Sequence, residues 1–208
     1  MRKVHLLILA FILLMGTTVQ AQTQKGNVMV GANMANILGT FSSDANSFQF
    51  NLTPKAGWFI KDNLALGAEV NLGIKTTKYD NTDTKVTDLT YGIGAFGRYY
   101  ITDESIEFSK RARFFLEASA GFNGTNSKTK VADGSSSSIN NNGLGLGFGP
   151  GLAFFITPNV ALEALLKYDI TVGFGSSTTV HKLGLNLGFQ IYLPGKNARQ
   201  IIREETGK

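Results

Sequence analysis

The chain has no cysteine, only two histidines, only four prolines and, past its first residues, no long uninterrupted apolar run. Without cysteine there is no disulfide, thiolate nucleophile, cysteine metal site or lipid-modified N-terminal cysteine, so stability has to come from the fold itself. No stretch beyond the leader is apolar enough for a transmembrane helix, so any passage through a bilayer must use strands. The formal net charge is a modest +5, part of it on Arg2 and Lys3. Other bases gather in Lys110-Arg111-Ala112-Arg113 and in the tail from Lys196 to Lys208, and no aromatic-interleaved basic face suggests nucleic acid as a partner.

The leader itself is informative. Met1-Arg2-Lys3 precede an apolar run from Leu6 to Met15, and Gly16-Thr17-Thr18-Val19-Gln20-Ala21 places small residues three and one before a cut after Ala21. This is the pattern of a secretory signal peptide over residues 1–21. An apolar core of about ten residues is too short for a spanning anchor, which needs ~20.

Beyond it, hydrophobicity alternates with period two. Leu64, Leu66, Ala68, Val70, Leu72 and Ile74 oppose Ala65, Gly67, Glu69, Asn71, Gly73 and Lys75, so one face is apolar and the other small or polar. Seven further segments obey the same rule, among them Leu89 to Tyr99, Phe114 to Phe122, Leu162 to Ile170 and Leu183 to Leu193. In the segment running from Leu144 to Phe154, glycines 143, 145, 147, 149 and 151 fill the small face. Each segment reaches the ~10 residues that a tilted strand needs to cross a bilayer.

The links between segments set an orientation. Polar stretches at 38–46, 76–88, 124–141 and 173–180 alternate with the tight links Lys61-Asp62-Asn63 and Thr157-Pro158-Asn159, while the link at 102–111 is longer than its position favours. Long outer loops alternating with short periplasmic turns leave both termini in the periplasm. A soluble barrel hides its large side chains, but here the apolar face carries almost no charge and the other face holds glycine, asparagine and ions, so the apolar face points outward into lipid. Trp58, Tyr99, Phe114 and Phe154 share that face near the periplasmic ends, as an interfacial girdle does. The expected fold is all-β, an eight-stranded antiparallel up-and-down transmembrane barrel over residues 22–193, with a charged periplasmic tail at 194–208.

Lys55-Ala56-Gly57-Trp58-Phe59-Ile60-Lys61-Asp62-Asn63-Leu64-Ala65-Leu66-Gly67, Gly97-Arg98-Tyr99-Tyr100, Val160-Ala161-Leu162-Glu163 and Gly188-Phe189-Gln190-Ile191-Tyr192-Leu193 carry a family likeness. They resemble the small outer-membrane β-barrel family typified by outer-membrane protein X and the transmembrane domain of outer-membrane protein A. The likeness covers nearly the whole mature chain and implies a barrel in the bacterial outer membrane; it specifies no activity. The charged tail departs from it, because such barrels often end at their last aromatic strand.

Gly92-Ile93-Gly94-Ala95-Phe96-Gly97 matches a dinucleotide-binding pattern, with Glu117 beyond it, but those glycines must end a strand and open a helix, whereas these sit inside an alternating segment. Pro54 and Pro150 each remove a donor from a strand with no free edge, which calls for bulges at both positions. His181, the one histidine of the mature chain, sits at the outer rim with no acid or same-face serine beside it. It lacks the set that a nucleophile or a metal requires.

The inward charges are more telling. Lys55, Glu69, Arg98, Glu117 and Glu163 all fall about three to five residues up from the periplasmic ends on the small face, in adjacent layers of a lumen that side chains can just fill. The expectation is a lumen-closing ion network with Gln190 nearby, in which three acids face two bases. Function then reads as a non-enzymatic monomeric barrel without cofactor or metal. Its partners are outer-membrane lipids and lipopolysaccharide, and its outer loops, above all the Ser/Asn-rich stretch 127–142, serve adhesion or envelope integrity. The alternatives are a narrow channel for ions or small solutes, and a lipid-modifying enzyme using His181.

Overall fold

The computed structural model describes residues 22–42, 44–101, 111–131, 134–174 and 179–195, with the side chains of 36–39 excepted. The leader at 1–21, most of the link at 102–111, Ser176, Ser177 and the tail from Lys196 on therefore lie outside the described residues.

Eight strands follow in order: β1 (Val28–Phe41), β2 (Ala45–Lys61), β3 (Leu64–Tyr79), β4 (Thr84–Tyr100), β5 (Ala112–Lys130), β6 (Ser136–Thr157), β7 (Val160–Gly173) and β8 (Thr179–Leu193). Every strand pairs antiparallel with its sequence neighbour, and β1 meets β8 from Val28↔Leu193 to Ala35↔Asn186, closing the barrel. Closure satisfies every ladder without leaving an edge along the shared span, the condition that hydrocarbon imposes on strands. The alternating face decides which side turns out. Leu66, Ile93, Leu146, Leu162 and Leu185 are exposed on the outer wall, and Met29, Phe59, Tyr100, Phe115 and Tyr192 are buried inside.

At one end the turns are tight. Asn63 reverses the chain between β2 and β3 with φ 64°, a left-handed conformation asparagine tolerates better than most residues. Asp83, at φ 43°, does the same at the opposite end between β3 and β4.

The strands run from 14 to 22 residues, well past the crossing length. This corrects the expected loops. Of the stretch 76–88, only residues 80–83 lie between strands; of 124–141, only 131–135 do. The Ser/Asn-rich segment is mostly a paired hairpin, with β5 and β6 in register from Gly124↔Asn142 to Lys130↔Ser136. Hydrophobic alternation had marked only the part of each strand whose two faces meet different surroundings. Above the apolar band both faces are polar, and the period-two signal vanishes although pairing continues.

The prolines are accommodated differently from the expectation. Pro54 pairs with Ala32 of β1, while the β2–β3 ladder passes from Leu52↔Leu72 to Lys55↔Glu69 with no change of register. The lapse is spanned by a hydrogen bond from the Thr53 hydroxyl to Asn71 Oδ1 at 3.0 Å. Pro150 pairs with Leu116, and the β6–β7 ladder lapses from Phe148↔Tyr168 to Gly151↔Leu165, again in register. The register shifts fall elsewhere, at Ala35/Leu38, Phe59/Lys61 and Phe155/Thr157. Gly92 to Gly97 lie in the middle of β4, paired on both sides, with no helix for a phosphate to meet.

Candidate functional site

Register and parity bring the inward charges together. Lys55 on β2 stands directly across from Glu69 on β3, and Arg98 on β4 directly across from Glu117 on β5. Glu163 arrives from β7 on the far wall, across from Gly188 of β8.

Arg98 is the hub and is completely buried. Its Nε and Nη2 donate to Glu117 Oε2 at 2.9 and 2.7 Å, and Nη1 donates to both Glu163 oxygens at 2.7 and 2.8 Å. Nη1 also reaches the Tyr100 hydroxyl at 3.0 Å, and the guanidinium lies over the Phe115 ring, 4.0 Å from its centroid. Lys55 Nζ donates to Glu117 Oε1 at 2.7 Å, approaches Glu69 Oε2 at 3.2 Å and sits 4.7 Å above the Phe96 ring. A buried charge is tolerable only when paired and hydrogen-bonded, and here each ion has at least one opposite partner.

Lys167 belongs to this network, although counting residues from the strand end did not include it. It donates to Glu69 Oε1 at 3.2 Å and lies 3.6 Å from Asp169. The signal that identifies it is parity, because it stands four residues above Glu163 on the same face of β7, and with Asp169 the cluster holds four acids against three bases. Gln190 shares the row of Lys55 through Gly31, is buried and donates to Asn33 Oδ1 at 3.3 Å.

Beneath the ions lies a layer that sequence reasoning missed. Phe59, Tyr100, Phe115, Phe155 and Tyr192 point inward from β2, β4, β5, β6 and β8, all at most 2% exposed. Their ring centroids stand 5.1 to 6.4 Å apart, in the range where tilted and edge contacts are favourable. Alternation gives an inner face that is mostly small or polar, with Met29 and Phe96 as exceptions. At the tight-turn end it is aromatic instead, since adjacent aromatic pairs such as Phe114-Phe115 and Phe154-Phe155 place one ring on each side of the wall. The two tyrosines join the layers: their hydroxyls are 2.6 Å apart, and Tyr192 donates to Glu163 Oε1 at 3.1 Å.

Outside, Trp58, Tyr99 and Phe154 are exposed and Phe114 is half-buried, all near the tight-turn end. Two polar-tipped aromatics lie further toward the other end, on β4 and β7. Tyr91 donates to Asn142 Oδ1 at 2.9 Å, and the Tyr168 hydroxyl meets His181 Nδ1 at 2.9 Å. His181 thus engages a tyrosine on the outer wall, with no acid or serine at hydrogen-bond distance among the described residues. No group of three potential metal ligands occurs among the described residues either.

Residues 7–191 match the family model described as outer membrane protein beta-barrel domain. No curated relative matches the chain. Among solved structures it is similar to Neisserial surface protein A, at 24% identity and a TM-score of 0.44, over 79% of this chain and 95% of that one. It is similar also to Ail, the attachment invasion locus protein of Yersinia pestis, at 16% identity and a TM-score of 0.50, over 81% and 100%. The N-terminal β-barrel domain of Pseudomonas aeruginosa OprF matches at 18% and 0.39, over 81% and 98%.

Proposed function

Since the chain belongs to the outer membrane protein β-barrel domain family and so resides in the bacterial outer membrane, we propose that it is a non-enzymatic barrel with a sealed lumen, working through its outer surface in adhesion or envelope integrity. One observation carries this reading: at the tight-turn end the Arg98 network is buried inside the wall and backed by five inward aromatic rings, which supports a sealed cross-section. An eight-stranded wall encloses about the space its side chains occupy. Two stacked layers of large side chains leave no continuous aqueous path. Signal-peptide cleavage after Ala21 delivers the chain to this location.

The outer half supports the same division of labour. Above the ions the inward residues are small or polar, among them Asn71, Gly73, Asp88, Gly92 and Asn123, and the longest hairpin, β5–β6, carries polar side chains beyond the apolar band. Contact with other molecules therefore takes place on the outer side, while the inner end serves as a plug. Planar-bilayer recording of purified protein tests the seal. The expected record is flat, and reproducible single-channel steps from the wild-type protein would replace this reading with the narrow-channel one.

A further inference from the structure

Four lysines occupy one outer wall just beyond the apolar band. Lys78 of β3 pairs directly with Lys85 of β4, and Lys85 pairs directly with Lys130 of β5. Lys128 lies one step lower, across from Thr87. All four are exposed and share the outward parity of Ile74, Leu89 and Phe122, so they point sideways from the barrel. Directly opposed like charges destabilise a sheet, so this row is costly unless an anion covers it.

The chain itself supplies little cover. Lys78 stands 4.0 Å from Asp80 and 3.8 Å from Asp83, carboxylates at the turn tip further out. No ion pair holds Lys85, Lys128 or Lys130 among the described residues. On the opposite wall, among the described residues, β7 and β8 turn Val172 and His181 outward toward the same end.

Height narrows the occupant. The outward apolar face ends at the row of Ile74 and Leu89, which lies across from Asn126 of β5. From that row to Lys128 is two residues along β5, and to Lys78, Lys85 and Lys130 it is four along each strand. At ~3.3 Å per residue and a ~45° tilt, the lysines stand roughly 5 to 9 Å above the apolar band. A phospholipid headgroup layer adds only about 5 to 7 Å per leaflet. Phosphates carried on a larger saccharide headgroup reach all four lysines; those of ordinary phospholipids reach Lys128 alone.

We propose that Lys78, Lys85, Lys128 and Lys130 form a docking surface for the phosphate groups of an outer-leaflet glycolipid of the lipopolysaccharide type, held against the β3–β5 wall. Its acyl chains lie along the apolar band below, and the lysine row receives the headgroup.

The test uses the full barrel in nanodiscs of phosphatidylethanolamine and phosphatidylglycerol, titrated with phosphorylated lipopolysaccharide. K85S/K130S is expected to weaken binding about twenty-five-fold, at roughly fivefold per lysine near an anionic surface. K25S/K61S, which removes two exposed lysines at the opposite end, leaves it unchanged. Enzymatically dephosphorylated glycolipid binds the wild type as weakly as the intact form binds K85S/K130S, and this arm decides the matter if the variant fails to fold. Binding by K85S/K130S within twofold of wild type overturns the proposal, as does an equal loss in K25S/K61S. So does a sulfated polysaccharide whose binding needs the lysines while glycolipid binding does not.

Discussion

Replacing Arg98 by alanine is the sharpest probe of the buried network. The guanidinium makes four hydrogen bonds to Glu117 and Glu163 at 2.7 to 2.9 Å and a fifth to Tyr100 at 3.0 Å. Without it Glu117 keeps Lys55, but Glu163 keeps only the Tyr192 hydroxyl, so one carboxylate is left buried without a cation. Stranding a buried charge costs about 3–5 kcal/mol, much more than loss of the pair's attraction alone. Arg98→Met combined with Glu163→Gln removes both charges and keeps the volume, and the expected cost falls by at least about 2 kcal/mol relative to Arg98→Ala, since no bare charge remains. The assay is urea unfolding in lipid vesicles followed by the emission of Trp58, the sole tryptophan, which is 56% exposed and leaves lipid when the barrel opens. If Arg98→Ala unfolds within about 0.5 kcal/mol of wild type, the ions are separately hydrated and the reasoning fails.

Four further outcomes are expected. A Cβ on Gly151 falls 2.2 Å from the Phe115 ring, so Gly151→Ala lowers stability by about 1–3 kcal/mol in the same unfolding assay, whereas Gly184→Ala, facing open space, leaves it within about 0.5 kcal/mol. Tyr100→Phe removes the 2.6 Å contact with Tyr192 and an acceptor for Arg98, costing about 1–3 kcal/mol; an unchanged midpoint contradicts the joining of the two layers. Amides of residues 124–130 and 136–142 exchange slowly in hydrogen–deuterium experiments because they are laddered, and exchange within seconds throughout would count against the paired hairpin. Lipid extracts from cells expressing wild type and His181→Ala are expected to be identical, and any difference that depends on the histidine restores the enzymatic alternative.

Much of the barrel was legible because a membrane-spanning strand must present lipid on one side and lumen on the other, which writes period two into the chain. Leu64 to Ile74 shows it without interruption, and the same parity counts placed Lys55, Glu69, Arg98, Glu117 and Glu163 on one side of the wall. Three features escaped for separate reasons. The upper strands, such as residues 124–130, have water on both faces and no contrast to read. The inward rings Phe59, Phe115 and Phe155 follow or precede outward apolar residues, so local hydrophobicity is continuous where the barrel ends. Lys167 lies seven residues above the start of β7, yet it meets Glu69 from across the lumen, a distance no linear count contains.

The reach of Arg98 across the lumen also bears on the order of assembly. Its two acids come from β5, immediately beside it, and from β7, 65 positions later in the chain, and Tyr192 of β8 caps the second of them. A sheet that has inserted only its first strands therefore holds a bare cation at membrane depth, where charge is most costly. β5 brings the first acid, and the last hairpin brings Glu163 with the Tyr192 hydroxyl that caps it, so the hub completes its set of partners in the same motion that closes the wall.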